Sequence, residues 1–236
     1  EYDGDLHIPS RYLVAPPAIT NTMGEYLADT GITQYAVSET QKYGHVTYFW
    51  NGNKSGKFDE ETETYSEIPS DIVPFEQRPW MQCALIADQL IAAIESGKYR
   101  FIRANFPNGD MVGHTGNYAA TVISVEALDV QLARVLKAID AAKGVAIITA
   151  DHGNADEMYE TDKKGNVKTN ADGSPKAKTS HTLNPVPCII YDNNCKDAYT
   201  VKSGEGFGLA NVAATTVNLL GYEAPEMWCE SLIEIK

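Results

Sequence analysis

Apolar residues recur along the chain in two rhythms. Met81, Leu85, Ile86, Leu90, Ile91 and Ile94 fall at helical spacing until Gly97 interrupts them, and Pro79 suits the first turn of that helix. Val122, Val125, Leu128, Leu132, Val135 and Ile139 do the same across residues 118–141. Recurrence at three and four positions gathers such residues on one helix face. A shorter helix runs to Leu27, capped by Asn21 or Thr22 and stopped by Gly31, and a last one covers residues 209–220 before Gly221. The second rhythm is the short apolar run. The run at 145–149 is long enough for one buried strand and too short for a buried helix, residues 34–37 read as another buried strand, and 99–104 and 186–191 as further strands, with a short edge strand at 64–68. Alternation of the two rhythms predicts an α/β fold: a three-layer αβα domain with a mainly parallel sheet and right-handed crossovers.

Polar stretches punctuate this pattern. Residues 1–20, with Pro9, Pro16 and Pro17, read as a hinge or linker arriving at a domain that occupies residues 21–236. Residues 105–116 read as a loop. Residues 158–179 carry Lys163, Lys164, Lys168, Lys176 and Lys178 between Gly165, Gly173 and Pro175, and read as a mobile surface lid.

The pattern gains chemical meaning where strands end. Ala150-Asp151-His152-Gly153 follows the run at 145–149, Asp110 and His114 follow the run at 99–104, and His181 precedes the run at 186–191. Ligands of open α/β sheets bind off the carboxyl ends of strands, so these residues can share one sheet face. Each has a plain structural alternative: Asp110 and Asp151 as turn formers, His114 as a helix cap, His152 as a space filler. Together they make five candidate ligands, more than one tetrahedral zinc needs. Mixed imidazole and carboxylate suits two divalent ions, Mn²⁺ or Zn²⁺ before Ca²⁺. Such a pair can stabilise the attacking and leaving oxygens of displacement at phosphorus. Lys42, from the sequence alone, reads as a solvated surface lysine. His45, beside aromatics, reads as a core histidine or one that supports a ligand.

Composition narrows the partners. A net charge of −13 argues against nucleic acid and anionic membranes, and no apolar run approaches membrane length. Cys83, Cys188, Cys195 and Cys229 form no CxxC pair and read as buried free thiols in a reducing, cytoplasmic setting. The opening Glu1-Tyr2-Asp3-Gly4 does not read as a signal peptide, and the expectation is a chain entered partway.

At the level of whole motifs the chain resembles the cofactor-independent phosphoglycerate mutases of the alkaline phosphatase-like superfamily. The resemblance rests on Ser38-Glu-Thr-Gln-Lys42-Tyr-Gly-His45-Val-Thr47, Asn105-Phe-Pro-Asn-Gly-Asp110-Met-Val-Gly-His114-Thr-Gly116, Thr149-Ala-Asp151-His152-Gly153-Asn154-Ala-Asp156 and Ser180-His181-Thr-Leu-Asn-Pro185. It implies a mutase moving a phosphoryl group between the 3- and 2-hydroxyls of glycerate through a phosphoserine. By the same resemblance Asp110, His114 and His181 bind one Mn²⁺, Asp151 and His152 help bind a second, and Lys42 stands near the transferring phosphoryl group. Two parts of the family pattern are missing. The early Asp and the serine nucleophile belong to an N-terminal part not found here, and the inserted domain that grips glycerate is absent. Arg11, Arg78, Arg100, Arg103 and Arg134 are scattered rather than clustered as a phosphate clamp. The expectation is a C-terminal portion, inactive alone, whose partners are a phosphoglycerate and the missing N-terminal part of the same protein. The alternatives are another phosphohydrolase or phosphomutase of the superfamily, or a metal-binding piece without catalysis.

Overall fold

The computed structural model describes residues 9–14 and 19–236, apart from the Lys196 side chain. The expected hinge at residues 1–20 therefore lies largely outside the described residues. The central strand is β1 (Gln34–Glu39), buried along its whole length and flanked in parallel by β2 (Glu63–Ile68) at one edge and β3 (Phe101–Ala104) at the other. Alternate β1 residues serve opposite layers. Tyr35 and Val37 pack with Ile86, Leu90 and Ala93 of α3 (Cys83–Glu95) and Val135 of α5 (Tyr118–Ala141). Gln34 instead faces α1 (Met23–Asp29), where its amide donates to the Gly24 carbonyl at 3.3 Å. Met23 and Leu27 of α1 pack with Val217 of α6 (Val212–Leu219). The three layers anticipated from the pattern are thus present.

Local chemistry explains several boundaries. Thr22 caps α1 by accepting from the Glu25 amide, and Asn117 caps α5 by accepting from the Ala120 amide. Other boundaries differ from the expectation. Residues after Pro79 first form a turn, so α3 begins only at Cys83. Residues 105–116 are not all loop: Asn108–Gly113 form a short helix, α4, whose Asn108 is buried and bonded to Ser124 of α5. A further short helix, α2 (Tyr43–Val46), follows the 3₁₀ turn at the end of β1.

Beyond α5 the sheet changes. β4 (Ala146–Thr149) pairs antiparallel with β5 (Cys188–Tyr191), and β6 (Tyr199–Val201) pairs antiparallel with β7 (Ile233–Ile235). The parallel part of the architecture is the β2–β1–β3 sheet. No helix separates β4 from β5, so the chain returns antiparallel rather than by a crossover. Among the described residues β4 has β5 as its one strand partner. The run at 145–149 is therefore half-buried rather than buried, and Val145 is 38% exposed. On α5 the predicted apolar face is covered at Val135, while Val122 and Val125 are exposed. Cysteine burial also departs from expectation. All four are free, but only Cys83 is buried.

Candidate metal centre

The carboxyl ends of β1 and β3 and the exit of β4 deliver the candidate residues. β1 runs through Glu39 into a 3₁₀ turn at Thr40–Lys42, β3 leads into α4 with Asp110, and β4 ends just before Asp151 and His152. His181 arrives by a different route. In the antiparallel pair, Thr149 is opposite Cys188, so the approach to β5 runs beside the departure from β4. The Thr182 amide donates to the Gly153 carbonyl at 2.8 Å, which locks the two loops together.

Three of the predicted ligands converge. Nε2 of His114 is 3.0 Å from Oδ1 of Asp110, and Nε2 of His181 is 3.1 Å from the same oxygen. The two Nε2 atoms are 3.0 Å apart. Ligands bound at about 2.0–2.1 Å to one ion in neighbouring octahedral positions stand about 3 Å from one another, so this triangle has the size of a coordination face. The donor chemistry also fits. His114 Nδ1 is 2.7 Å from the Thr179 carbonyl, which can only accept, so the proton sits on Nδ1 and the Nε2 lone pair faces the cluster. All three ligand atoms lie within 4.8 Å of one another.

Asp151 and His152 stand beside this group without completing a second one. His152 Nε2 is 3.5 Å from Asp151 Oδ2, and the His152 ring stacks on His181 with centroids 3.6 Å apart. Lys42 is not a surface lysine. It is buried, with Nζ 2.6 Å from Asp110 Oδ2. Burial pushes the Asp110 carboxyl up, but the Lys42 ammonium and the Asn154 amide outweigh it and hold the pKa at about 2. His45 is half-buried against Phe49, and burial followed by the nearby Lys42 charge pushes it below the usual histidine value.

Residues that the sequence pattern left without a role complete the frame. Asp156 accepts from Thr182 Oγ1 and, at 2.6 Å, from Asn184 Nδ2, joining the loop after β4 to the one bearing His181. Glycine is required at 153: an added Cβ would lie 2.1 Å from Thr182 Oγ1 and 2.5 Å from Asp156 Oδ1. The signal was spacing: Asn154 and Asp156 follow His152, and Asn184 follows His181, inside the same short motifs.

The expected lid at 158–179 has a frame of its own. Residues 159 and 177, 161 and 167, and 169 and 175 form antiparallel bridges, and buried Met158 anchors the base. Glu160 pairs with Lys168 and Lys176, and Glu157 with Lys178, so these lysines are neutralised locally.

Comparison with known proteins shows the family of the chain. A probable 2,3-bisphosphoglycerate-independent phosphoglycerate mutase of Leptospira interrogans is 56% identical over 234 residues, covering 99% of this chain and 42% of the relative. The 2,3-bisphosphoglycerate-independent phosphoglycerate mutase of Trypanosoma brucei brucei is 53% identical over 235 residues, covering 99% of the chain and 43% of that protein. A crystal structure of Leishmania mexicana phosphoglycerate mutase at low cobalt concentration superposes with a TM-score of 0.96 at 51% identity, over all of this chain and 43% of that one. The chain thus spans less than half the length of these relatives. Residues 5–224 match the metalloenzyme superfamily, and the chain belongs to that family.

Proposed function

We propose that this chain supplies the metal-binding portion of a 2,3-bisphosphoglycerate-independent phosphoglycerate mutase, an isomerase that interconverts 3- and 2-phosphoglycerate through a phosphoserine. The observation that carries the reading is the Asp110–His114–His181 triangle, its edges 3.0–3.1 Å, in a chain so similar to proteins of that name. Asp110, His114 and His181 would hold one Mn²⁺, and Asp151 and His152 would contribute to a second with ligands from the remainder of the protein. The Leishmania mexicana structure was obtained with cobalt present, which supports a divalent ion at such a site. Bound there, the ions would neutralise negative charge on the transferring phosphoryl group.

The chain's own residues have defined tasks in this reading. The Thr179 carbonyl keeps the His114 proton on Nδ1, so that Nε2 is a lone-pair donor. Lys42 holds a buried ammonium beside Asp110, where it can follow charge from the carboxylate to a phosphoryl oxygen. Stacking of His152 on His181 keeps the two ligand groups side by side. The serine nucleophile and the groups that grip glycerate would come from the rest of the parent protein. A glycolytic, cytoplasmic setting follows from the reaction; no helix among the described residues is long and apolar enough to cross a membrane.

The test has two arms. Calorimetric titration of this chain with Mn²⁺ is expected to show one dominant site, lost in His181→Ala because two protein ligands are too few. Assayed with 3-phosphoglycerate and Mn²⁺, the chain alone is expected to form no 2-phosphoglycerate, whereas the parent protein does so. Two tight sites of equal affinity in the chain alone, or turnover by it, would contradict the proposal.

A further inference from the structure

Asp110 carries the centre: both histidine nitrogens and the Lys42 ammonium meet its carboxylate. A carboxylate on a short side chain can rotate, so something neutral must fix its plane when charges around it change. Asn154, two residues beyond His152, is 4% exposed and donates from Nδ2 to Asp110 Oδ1 at 2.8 Å and to the Asp110 backbone carbonyl at 3.2 Å. The reversed amide would set oxygen against oxygen, so this orientation is the bonded one. Its Oδ1 is buried, has no hydrogen-bond partner among the described residues, and lies against Gly113 of α4, where an added Cβ would stand 2.4 Å away. The helix therefore has a glycine where the amide enters.

We infer that Asn154 is a positioning residue. It holds the Asp110 carboxylate in the ligand orientation and registers the loop carrying Asp151 and His152 against α4, so that both ligand groups share one frame. The inference rests on the metal-centre reading above. An amide donor suits the task because it leaves Asp110 Oδ1 a second lone pair and adds no charge to the site. Ligand-orienting partners of this kind typically change metal affinity by about 10–100-fold when removed.

Co²⁺ is the probe, since its visible absorption reports coordination geometry alongside a calorimetric affinity. With this chain, Asn154→Ala is expected to bind Co²⁺ at least tenfold more weakly and to shift the visible bands, while the metal-free melting temperature falls little. Gly113→Ala leaves Asn154 in the chain but crowds its Oδ1, and is expected to weaken binding in the same direction. It decides the matter should Asn154→Ala fail to fold. If the unaltered chain binds Co²⁺, His181→Ala abolishes binding, and both variants stay within twofold of the parent with unshifted bands, the positioning role is overturned and the metal reading stands. Weakened binding with unshifted bands and an equal loss of metal-free stability would mark Asn154 as merely structural and also overturn it. Absence of Co²⁺ binding by the unaltered chain, or binding indifferent to His181→Ala, overturns both.

Discussion

Several buried charges in this molecule are held by neutral donors, and Glu39 shows what that costs. It is 1% exposed at the end of β1, accepting from Ser70 Oγ and from the Gln82 amide, both at 2.8 Å. Burial nevertheless wins, and its pKa is raised above 4.5. A carboxyl raised in the folded state binds protons more readily there than in the unfolded chain. Its contribution to stability is complete below the unfolded value and is lost as pH rises through the folded one. Glu39→Gln removes this dependence. The difference in urea-unfolding free energy, parent minus Glu39→Gln, is therefore expected to fall as pH is raised from about 4 to about 7. A difference independent of pH would show that the two hydrogen bonds offset the burial of charge. Gly153→Ala drives a Cβ into Thr182 Oγ1 and Asp156 Oδ1, and strain of this kind costs about 1–3 kcal/mol. Chemical denaturation gives the loss directly.

Among elements, the arm at 158–179 and β1 are expected to differ widely in local stability. The arm has backbone bonds such as Lys168 N to Glu160 O at 2.8 Å and Lys176 N to Lys168 O at 2.8 Å. Yet its apolar anchor is Met158 at the base, together with the Tyr118–Tyr159 stack, while residues 161–176 are exposed. Exposed backbone bonds with little apolar cover open at low free-energy cost. Amide exchange at Lys168 and Lys176 is expected to be faster than at Ala36 and Val37 by orders of magnitude. Comparable protection in the two elements would contradict this. Because Glu160 draws in both lysines, raising salt should accelerate exchange in the arm more than in β1.

For the whole molecule the decisive feature is an uneven core. The β2–β1–β3 sheet is covered on both faces, whereas the β4–β5 pair leaves Val145 and Ile189 exposed and α5 leaves Val122, Ile123, Val125 and Val130 exposed. An open strand edge beside apolar side chains is a template for association. In the relatives, which are more than twice as long, further chain is available to cover such surface. The chain alone is accordingly expected to bind a hydrophobic dye or self-associate. On the proposed reading, the N-terminal part of such a mutase, added in trans, is expected to suppress both and raise the melting temperature by several degrees, each ~1 kcal/mol being about 2–4 °C at this size. On the same reading, stability is expected to recover before mutase activity, because covering an edge requires docking while turnover would require atomic alignment of a nucleophile. Dye binding undiminished by the added remainder would count against this.

Local pattern determined much of this protein. The stripe from Val122 to Ile139 gave a helix at Tyr118–Ala141, capped as its Asn117 demands, and the apolar runs gave β1, β3, β4 and β5 to within a few residues. These are short-range effects of side-chain period and capping, written in neighbouring residues. Asp110, His114 and His181 were legible as ligand types at strand ends, but they come from two sheets, Asp110 and His114 after β3 and His181 before β5, and their meeting depends on the antiparallel β4–β5 pairing that sets the His181 loop beside the loop after β4. Tertiary structure alone decided the rest. Burial of Lys42 against Asp110, the hold of Asn154 on that carboxylate and the Asp156–Asn184 tie all join residues far apart in the chain. The half-exposure of β4 was decided in the same way. An apolar run states what a strand can bury, but its burial depends on the neighbours that arrive, and here β5 arrives on one side.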